Sequence, residues 1–463
     1  MSGPIRHIVM WRLRGETPAE RSAARSKVKT LFEGLRGRID GLTHIEVGVD
    51  VSDVDYACDV VLFSEFTNQA ALGHPPRTFA RPRGAGRLAD RTLPGRLSHQ
   101  RDRRMIGSFT FENLPCRVVF GSGTLASAKA EIERLGGKRA LVLTTPQQEA
   151  QGKSLGAALG PLNAGIFPGA TMHTPVEVTE RALAAMKACE ADCVVSLGGG
   201  STTGLGKALA LRTGVNQLCI PTTYAGSEMT PIVGQTENGL KTTVRDAAVL
   251  PETVIYDVDL TLTLPASLAA TSGINAIAHA VEALYARDTN PVTSLMAEEG
   301  IRALARALPA IAAKSDDREA RTEALYGAWL CGVCLGTVGM ALHHKLCHTL
   351  GGTFDLPHAE THTIVLPHAL AYNAPAVPDA TARISRAIGA ADASQGLYDL
   401  AKRLGAKLAL RDIGMPESGI DKAADLAVTN AYWNPRPLER DAIRELIARA
   451  WAGEPPVTIK AAA

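Results

Sequence analysis

Three short stretches of this 463-residue chain concentrate residue types that can do chemistry. The first is "SLGGGSTTGLGK", Ser196 to Lys207, in which Gly198, Gly199 and Gly200 precede Ser201. An apolar run leads into it and a helical run follows. Backbone without Cβ atoms can approach a diphosphate closely, and a helix start offers unpaired N–H groups and the positive end of its dipole. A cofactor pyrophosphate is the expected ligand, with a plain strand-to-helix turn as the alternative use of such glycines. The pattern is not the GxGxxG of the standard dinucleotide fold. The second stretch is "PTTYAGSEMT", Pro221 to Thr230, again at the end of an apolar run. Thr222, Thr223 and Ser227 can donate to cofactor oxygens or to a carboxamide; otherwise they would cap local turns. In an open α/β sheet both loops would border one crevice at the carboxyl ends of the strands.

The third stretch is a histidine cluster. Six of the twelve histidines fall between His343 and His368, and His279 stands apart on another helical run. His344 and His348 are four residues apart, hence on one helix face, and His358 follows beyond Gly351 and Gly352. His279, His344, His348 and His358 are read as one shared site, while His343, His362 and His368 are read as satisfied core histidines. Cys331 and Cys334 form a lone CxxC flanked by Ala328, Trp329, Leu330 and Leu335, which reads as helix packing rather than as a zinc or redox site.

These residues need elements to position them. From about Phe109 to Asp259 short apolar runs at 139–145, 193–201 and 217–223 alternate with helical ones such as 177–190, the signature of a parallel sheet covered on both faces. After Leu264 the strand signals stop and Ala/Leu-rich helical sequence runs to Ala452. Ahead of both lies an α+β unit: strands at Ile5 to Leu13, Thr43 to Val49 and Tyr56 to Phe66, and a helix from Pro18 to Gly37 with Val28, Leu31, Phe32 and Leu35 on one face. Between Pro76 and Arg104 nine arginines meet two aspartates with scattered Pro and Gly, which reads as a solvated tether rather than a nucleic-acid arm. The expected division is 1–75, a linker at 76–107, a dinucleotide-binding α/β domain at 108–260 and an all-helical domain at 261–463. Net charge of only +2 excludes a dedicated polyanion binder, so no nucleic-acid partner is expected. Without a run of roughly 18 apolar residues or a signal-like N-terminus, no membrane partner is expected and the setting reads as cytoplasmic.

Taken together, "GGGSTTGLGKA", "PTTYAGSEMTP", "SGINAIAHAVEALYA" and "HHKLCHTLGGTFDLPHAETH" resemble the iron-type alcohol dehydrogenase superfamily and, within it, the maleylacetate reductases, over about 350 residues from Met105 onward. "IRHIVMWRL", "GLTHIEVGVDVS" and "DVVLFSEFTNQAAL" resemble the Dabb family of stress-responsive dimeric α/β barrels, a ferredoxin-like α+β fold, although "AALGHPP" is shortened relative to that family. The first resemblance implies a nucleotide-binding α/β domain followed by an all-helical domain with the site between them, NADH or NADPH as cofactor, and a homodimer. Metal-dependent members hold their ion with one Asp and three His; the matching positions are Asn275, His279, His344 and His358, so the anionic ligand has become a neutral amide. Metal is expected to be absent, with His279, His344 and His358 as its ligands if one is present. Thr144 and Thr145 stand where an acidic residue would grip an adenosine ribose, which implies use of either nicotinamide.

The activity so implied is reduction of the C=C bond of maleylacetate to 3-oxoadipate, a step in aromatic-compound breakdown. Hydride would add at C2, negative charge would rest on the C4 oxygen, and a proton would be delivered to C3. Histidine titrates near neutrality and can both donate that proton and hold the oxyanion. His344 or His348 is the expected donor, with His279 and His358 as electrostatic partners and Tyr224 and Asn275 as contacts to a small dicarboxylate. Lys207 would pair with phosphate or face solvent. Two other readings are a metal-dependent alcohol or glycerol dehydrogenase, requiring metal on the three histidines beside Asn275, and a regulatory protein with a vestigial enzyme half.

Overall fold

The computed structural model describes residues 5–11, 18–49, 60–67, 109–112, 114–237, 240–429 and 431–458. The chain divides into two compact units, 1–104 and 105–463. The expected linker at 76–107 lies outside the described residues.

In the first unit three antiparallel strands, β1 (Ile5–Trp11), β2 (Leu42–Val49) and β3 (Val60–Phe66), lie in the order β1-β3-β2. Alternation along β3 buries Val60, Leu62, Ser64 and Phe66. Val60 and Leu62 pack with Ile45 and Val47 of β2 against Val28, Phe32 and Leu35, the first two of these on the helix Pro18–Glu33. Leu31, expected on that face, is instead 63% exposed. A three-stranded sheet covers only the stripe through Val28, Phe32 and Leu35, and Leu31 sits beside it.

In the second unit six parallel strands run in the order β4-β11-β8-β7-β5-β6, with β4 at Arg117–Gly121, β5 at Ala140–Leu143, β6 at Asn163–Phe167, β7 at Cys193–Gly198, β8 at Asn216–Pro221 and β11 at Thr253–Asp257. Every residue of β5, β7 and β11 is buried, as expected of strands covered on both faces. One face packs on Ala128, Ile132, Leu155 and Leu159, the other on Val178, Ala182, Leu205 and Leu209. An antiparallel hairpin, β9 (Ile232–Glu237) and β10 (Leu240–Arg245), leaves this layer and had no counterpart in the alternating pattern.

Helices then follow one another from Ala266 to Ala452. Several begin where an Asx side chain takes up an unpaired helix N–H: Asn290 accepts from Thr293, Asp317 from Ala320 and Asp392 from Gln395. The helix Ala266–Tyr285 is buried along nearly its whole length, in the larger of two helical cores. All-round burial explains why it is apolar on every side rather than amphipathic. Cys331 and Cys334 are buried in that core as free thiols, with burial pushing the Cys334 thiol up to about 12. Among the described residues no single helix is long and apolar enough to cross a membrane.

His368, on the helix His358–Asn373, is buried, and desolvation together with Arg449 pushes its pKa down to about 4. The unfolded chain therefore binds a proton at about pH 6.5 that the folded one refuses, and stability present above that pH is lost as pH falls towards 4. The slope for one such ring is up to about 1.4 kcal/mol per pH unit. Denaturant midpoints at pH 7 and 4.5 should diverge less in His368→Leu than in the wild type; an unchanged divergence would mean that this ring is not buried in its neutral form.

Candidate active site

The glycine loop opens the helix Gly200–Thr213 directly behind β7, and no side chain caps that helix. Gly198 has φ +153°, where only glycine is at ease, and a Cβ there would stand 2.8 Å from Gln148 Oε1. One at Gly199 would stand 3.0 Å from Thr223. β7 and β8 pair with Gly198 opposite Pro221, and the Thr222 N–H donates to Gly198 O at 3.0 Å, so the glycine and threonine loops share one rim of the sheet. Thr222 Oγ1 accepts from Gln148 Nε2 at 3.1 Å. Ser227 Oγ is buried without a partner, 3.8 Å from where a Gly200 Cβ would be. An uncapped helix start, a floor free of Cβ atoms and an unpaired hydroxyl beside it fit the pyrophosphate of a dinucleotide.

Lys207 takes neither role expected of it. It is fully buried, its ammonium lying within hydrogen-bond reach of Ser227 O, Thr230 O at 2.6 Å, Thr230 Oγ1 at 2.9 Å and Ile232 O at 2.9 Å. Burial pushes its pKa down to about 8. It ties down the loop that follows the threonines rather than reaching a phosphate. Tyr224 is also turned away from the crevice: its ring is buried in the larger helical core, its hydroxyl accepts from Arg321 at 3.4 Å, and its backbone N–H donates to Ser272 Oγ.

The histidines converge from three helices. Asn275 and His279 lie one turn apart on Ala266–Tyr285, His343, His344 and His348 on Leu342–Phe354, and His358 and His362 on the third helix, His358–Asn373. Ring centroids of His279 and His344 are 5.2 Å apart, those of His344 and His348 6.1 Å, and those of His358 and His362 4.3 Å. His279 and His344 are buried while His348 and His358 are exposed, so the set spans from interior to rim. His348 Nδ1 meets Tyr432 Oη at 3.0 Å. The cluster touches the cofactor loops through Gly226, whose added Cβ would lie 3.3 Å from His279 Nδ1. Glycine loop, threonine loop and histidines thus form one continuous lining.

One member of this site, and three residues packed behind it, were not singled out by spacing. Glu282 is wholly buried and accepts from the Ala341 N–H at 2.8 Å, the His343 N–H at 2.7 Å and His344 Nδ1 at 2.8 Å. It lies seven residues after Asn275 and three after His279, on the same helix face, a periodicity that could have found it. His343 and His362, expected to be plain core residues, face each other with Nε2 and Nδ1 2.9 Å apart, and Cys347 Sγ lies 3.7 Å from His343 Nε2. His362 has its ring 5.0 Å from that of His344. Burial and neighbouring imidazoles hold His279, His343 and His362 well below the usual histidine pKa, so all three are neutral at pH 7.

Family models for the iron-containing alcohol dehydrogenases match residues 115–258 and, for their C-terminal part, 269–451. The chain is 58% identical over 348 residues to maleylacetate reductase of Rhizobium sp. (strain MTP-10005), covering 75% of this chain and 99% of that one. It is 57% identical to maleylacetate reductase of Burkholderia cepacia over 351 residues, 76% of this chain and 100% of that one. The chain belongs to the maleylacetate reductases of the iron-containing alcohol dehydrogenase family. The crystal structure of maleylacetate reductase from Agrobacterium tumefaciens superposes with TM-score 0.74 at 57% identity, covering 76% of this chain and 100% of that one. The model of the stress responsive A/B barrel domain matches residues 5–74. As a member of this maleylacetate reductase family the chain is an oxidoreductase that uses a nicotinamide cofactor.

The family's metal position is poorly provided for. Asn275 supplies only a neutral amide. Among the described residues, His279, His344 and His358 are not a group whose donor atoms all come within 4.8 Å of one another.

Glu282→Gln tests how His344 is held. Oε2 accepts from the Ala341 N–H and His344 Nδ1 and Oε1 from the His343 N–H, and an amide keeps only one accepting oxygen, so the three donors cannot all be met and the hold on the His344 ring weakens. Turnover should fall roughly 10²- to 10⁴-fold, and the ¹⁵N shifts of His344 should report the change. A variant with lower melting temperature but unaltered kcat and ¹⁵N shifts would reduce Glu282 to a helix cap.

Proposed function

We propose that the chain catalyses NAD(P)H-dependent reduction of the C=C bond of maleylacetate to 3-oxoadipate. The observation that carries this reading is its 50–58% identity to curated maleylacetate reductases over nearly their whole length. Bound along the glycine and threonine loops, a reduced nicotinamide supplies the hydride that adds to C2. Gly198, Gly199, Gly200 and Ser201 hold the pyrophosphate, and Thr222, Thr223 and Ser227 orient the rest of the cofactor. Thr144 lies buried just beyond β5 with no carboxylate at the ribose position, which suits NADH and NADPH alike.

Negative charge then develops on the C4 oxygen, and C3 needs a proton. His279 is held neutral by burial, so it can donate a hydrogen bond to the oxyanion but is not a proton source. His344 is better built as the acid. Its Nδ1 is fixed on the Glu282 carboxylate, and its Nε2 is buried without a protein partner, leaving substrate as recipient of a proton from that nitrogen. His348 and His358 stand exposed and take the substrate carboxylates, with Asn275 Oδ1, buried and unpaired, as a further polar contact. No metal takes part in this reading, because Glu282, the carboxylate beside His344, is committed to three N–H donors. The enzyme works as a cytoplasmic homodimer, and residues 105–463 suffice for the reaction.

Nicotinamide absorbance with purified protein and maleylacetate tests the activity directly. His344→Phe should lower kcat roughly 10²- to 10⁴-fold with little change in cofactor affinity and abolish the alkaline limb of its pH profile, whereas His348→Phe should keep that limb. Near wild-type turnover in both variants would make the cluster structural, and loss of the limb in His348→Phe alone would transfer the acid role. Turnover should survive EDTA, and deletion of residues 1–104 should leave it largely intact; an enzyme inactivated by chelation is metal-dependent, and an inactive truncation makes the N-terminal unit integral.

A further inference from the structure

One group of donors is unused by the reaction above. Among the described residues His343, Cys347 and His362 are the only three His, Cys, Asp or Glu side chains whose donor atoms all lie within 4.8 Å of one another, and all three are buried. His343 and Cys347 are one turn apart on Leu342–Phe354, so both point the same way, and His362 meets them from the neighbouring helix. We propose that His343, Cys347 and His362 form a binding site for one thiophilic divalent cation of the zinc class, distinct from the position used by metal-dependent members of the family.

Distances suit such an ion. Tetrahedral zinc with Zn–N of about 2.0–2.1 Å and Zn–S of about 2.3 Å separates two nitrogens by roughly 3.3 Å and nitrogen from sulfur by roughly 3.6 Å. His343 Nε2 and His362 Nδ1 stand 2.9 Å apart and Cys347 Sγ 3.7 Å from His343 Nε2, so a few tenths of an ångström of opening brings the two rings to that spacing, with all three donors already within 4.8 Å of one another. A hydrogen bond between the two rings accounts for only part of this arrangement. It leaves Cys347 with weak contacts alone and His362 Nε2 buried with no partner.

Charge decides between the two positions. A divalent ion at His279, His344 and His358 would meet neutral ligands and Asn275, with Glu282 behind His344 as the one carboxylate shared by both positions. At the second position one ligand becomes an anion: the Cys347 thiol gives its proton to water as the S–metal bond forms. The proton shared by His343 and His362 moves to the outer nitrogen of its own ring, and no electron changes hands. The Glu282 carboxylate lies close enough to act on Cys347 and accepts from the His343 N–H at 2.7 Å, so ion, thiolate and carboxylate sum to zero in a dry interior. Three protein ligands leave a fourth position open. Because His362 lies 4.3 Å and 5.0 Å, ring to ring, from His358 and His344, filling this position pulls on the reductase cluster, and turnover should fall.

Cobalt(II) titration of the full chain reads the site without substrate, so the result stands apart from the maleylacetate assignment. The expected result is one ion per chain, a near-ultraviolet thiolate-to-cobalt band, displacement by Zn²⁺, and parallel loss of NADH-linked turnover. Cys347→Ala should lose the band and weaken binding by more than about 100-fold, beyond the 10- to 100-fold cost of a missing outer partner, while keeping basal turnover; Cys347→Ser replaces it if alanine does not fold. Asn275→Asp should leave the band in place. Cobalt bound without that band, equal affinity in the cysteine variant, or no binding at millimolar ion would each overturn the proposal.

Discussion

A single buried carboxylate sets the register of the site. Glu282 is wholly enclosed, and an isolated charge in that position would be prohibitively costly. Three N–H donors make it tolerable, two from the backbone at the start of the helix Leu342–Phe354 and one from the His344 ring. Those same bonds fix where that helix begins and how it is rotated. His344 and His348 then share one face, with His343 and Cys347 beside them, because helix geometry leaves no choice once the first turn is pinned. His344, its neighbours and the second group of donors all take their positions from one residue on a different helix.

The cofactor side is governed by a complementary arrangement in which a buried cation is satisfied by backbone oxygens. Lys207 gathers carbonyls from Ser227, Thr230 and Ile232, holding the loop that presents Ser227 and Gly226. Gly226 then brings the threonine loop against His279. The route from glycine-loop helix to histidine cluster therefore runs through one ammonium and one residue lacking a side chain. Both are features of the interior and are indifferent to which substrate the rim admits.

Much of this was legible in sequence, for identifiable reasons. Buried parallel strands advertise themselves as apolar runs, so the strands ending at Gly198 and Pro221 and the loops after them could be read directly. The spacing of His344 and His348 sufficed to put them on one face. Harder to read was anything depending on which partner a side chain meets across the fold. Lys207 reads as a solvent or phosphate residue until the loop from Ser227 to Ile232 closes over it. Tyr224 sits in a loop full of polar residues, yet Arg321, nearly a hundred positions later, claims its hydroxyl. His343 and His362 looked like separate core residues because nineteen positions of sequence conceal a 2.9 Å contact. Leu31 obeyed the helical period but sits beside the stripe that the described strands cover.

The glycines at 226, 332 and 336 carry a mechanical consequence. An added Cβ on Gly332 would lie 3.0 Å from Gly226 O, and the Met229 carbonyl crowds Gly336 in the same way. Backbone here comes close to backbone, with Met229 and Leu114 packed beside the contact. The α/β layer and the helical layer are thus seamed along this line, on the inner side of the crevice. Close contact along this line leaves the two layers little slack there. Bulk inserted at Gly332 would act as a wedge on that line, pushing the threonine loop from the helical layer without replacing any histidine of the cluster.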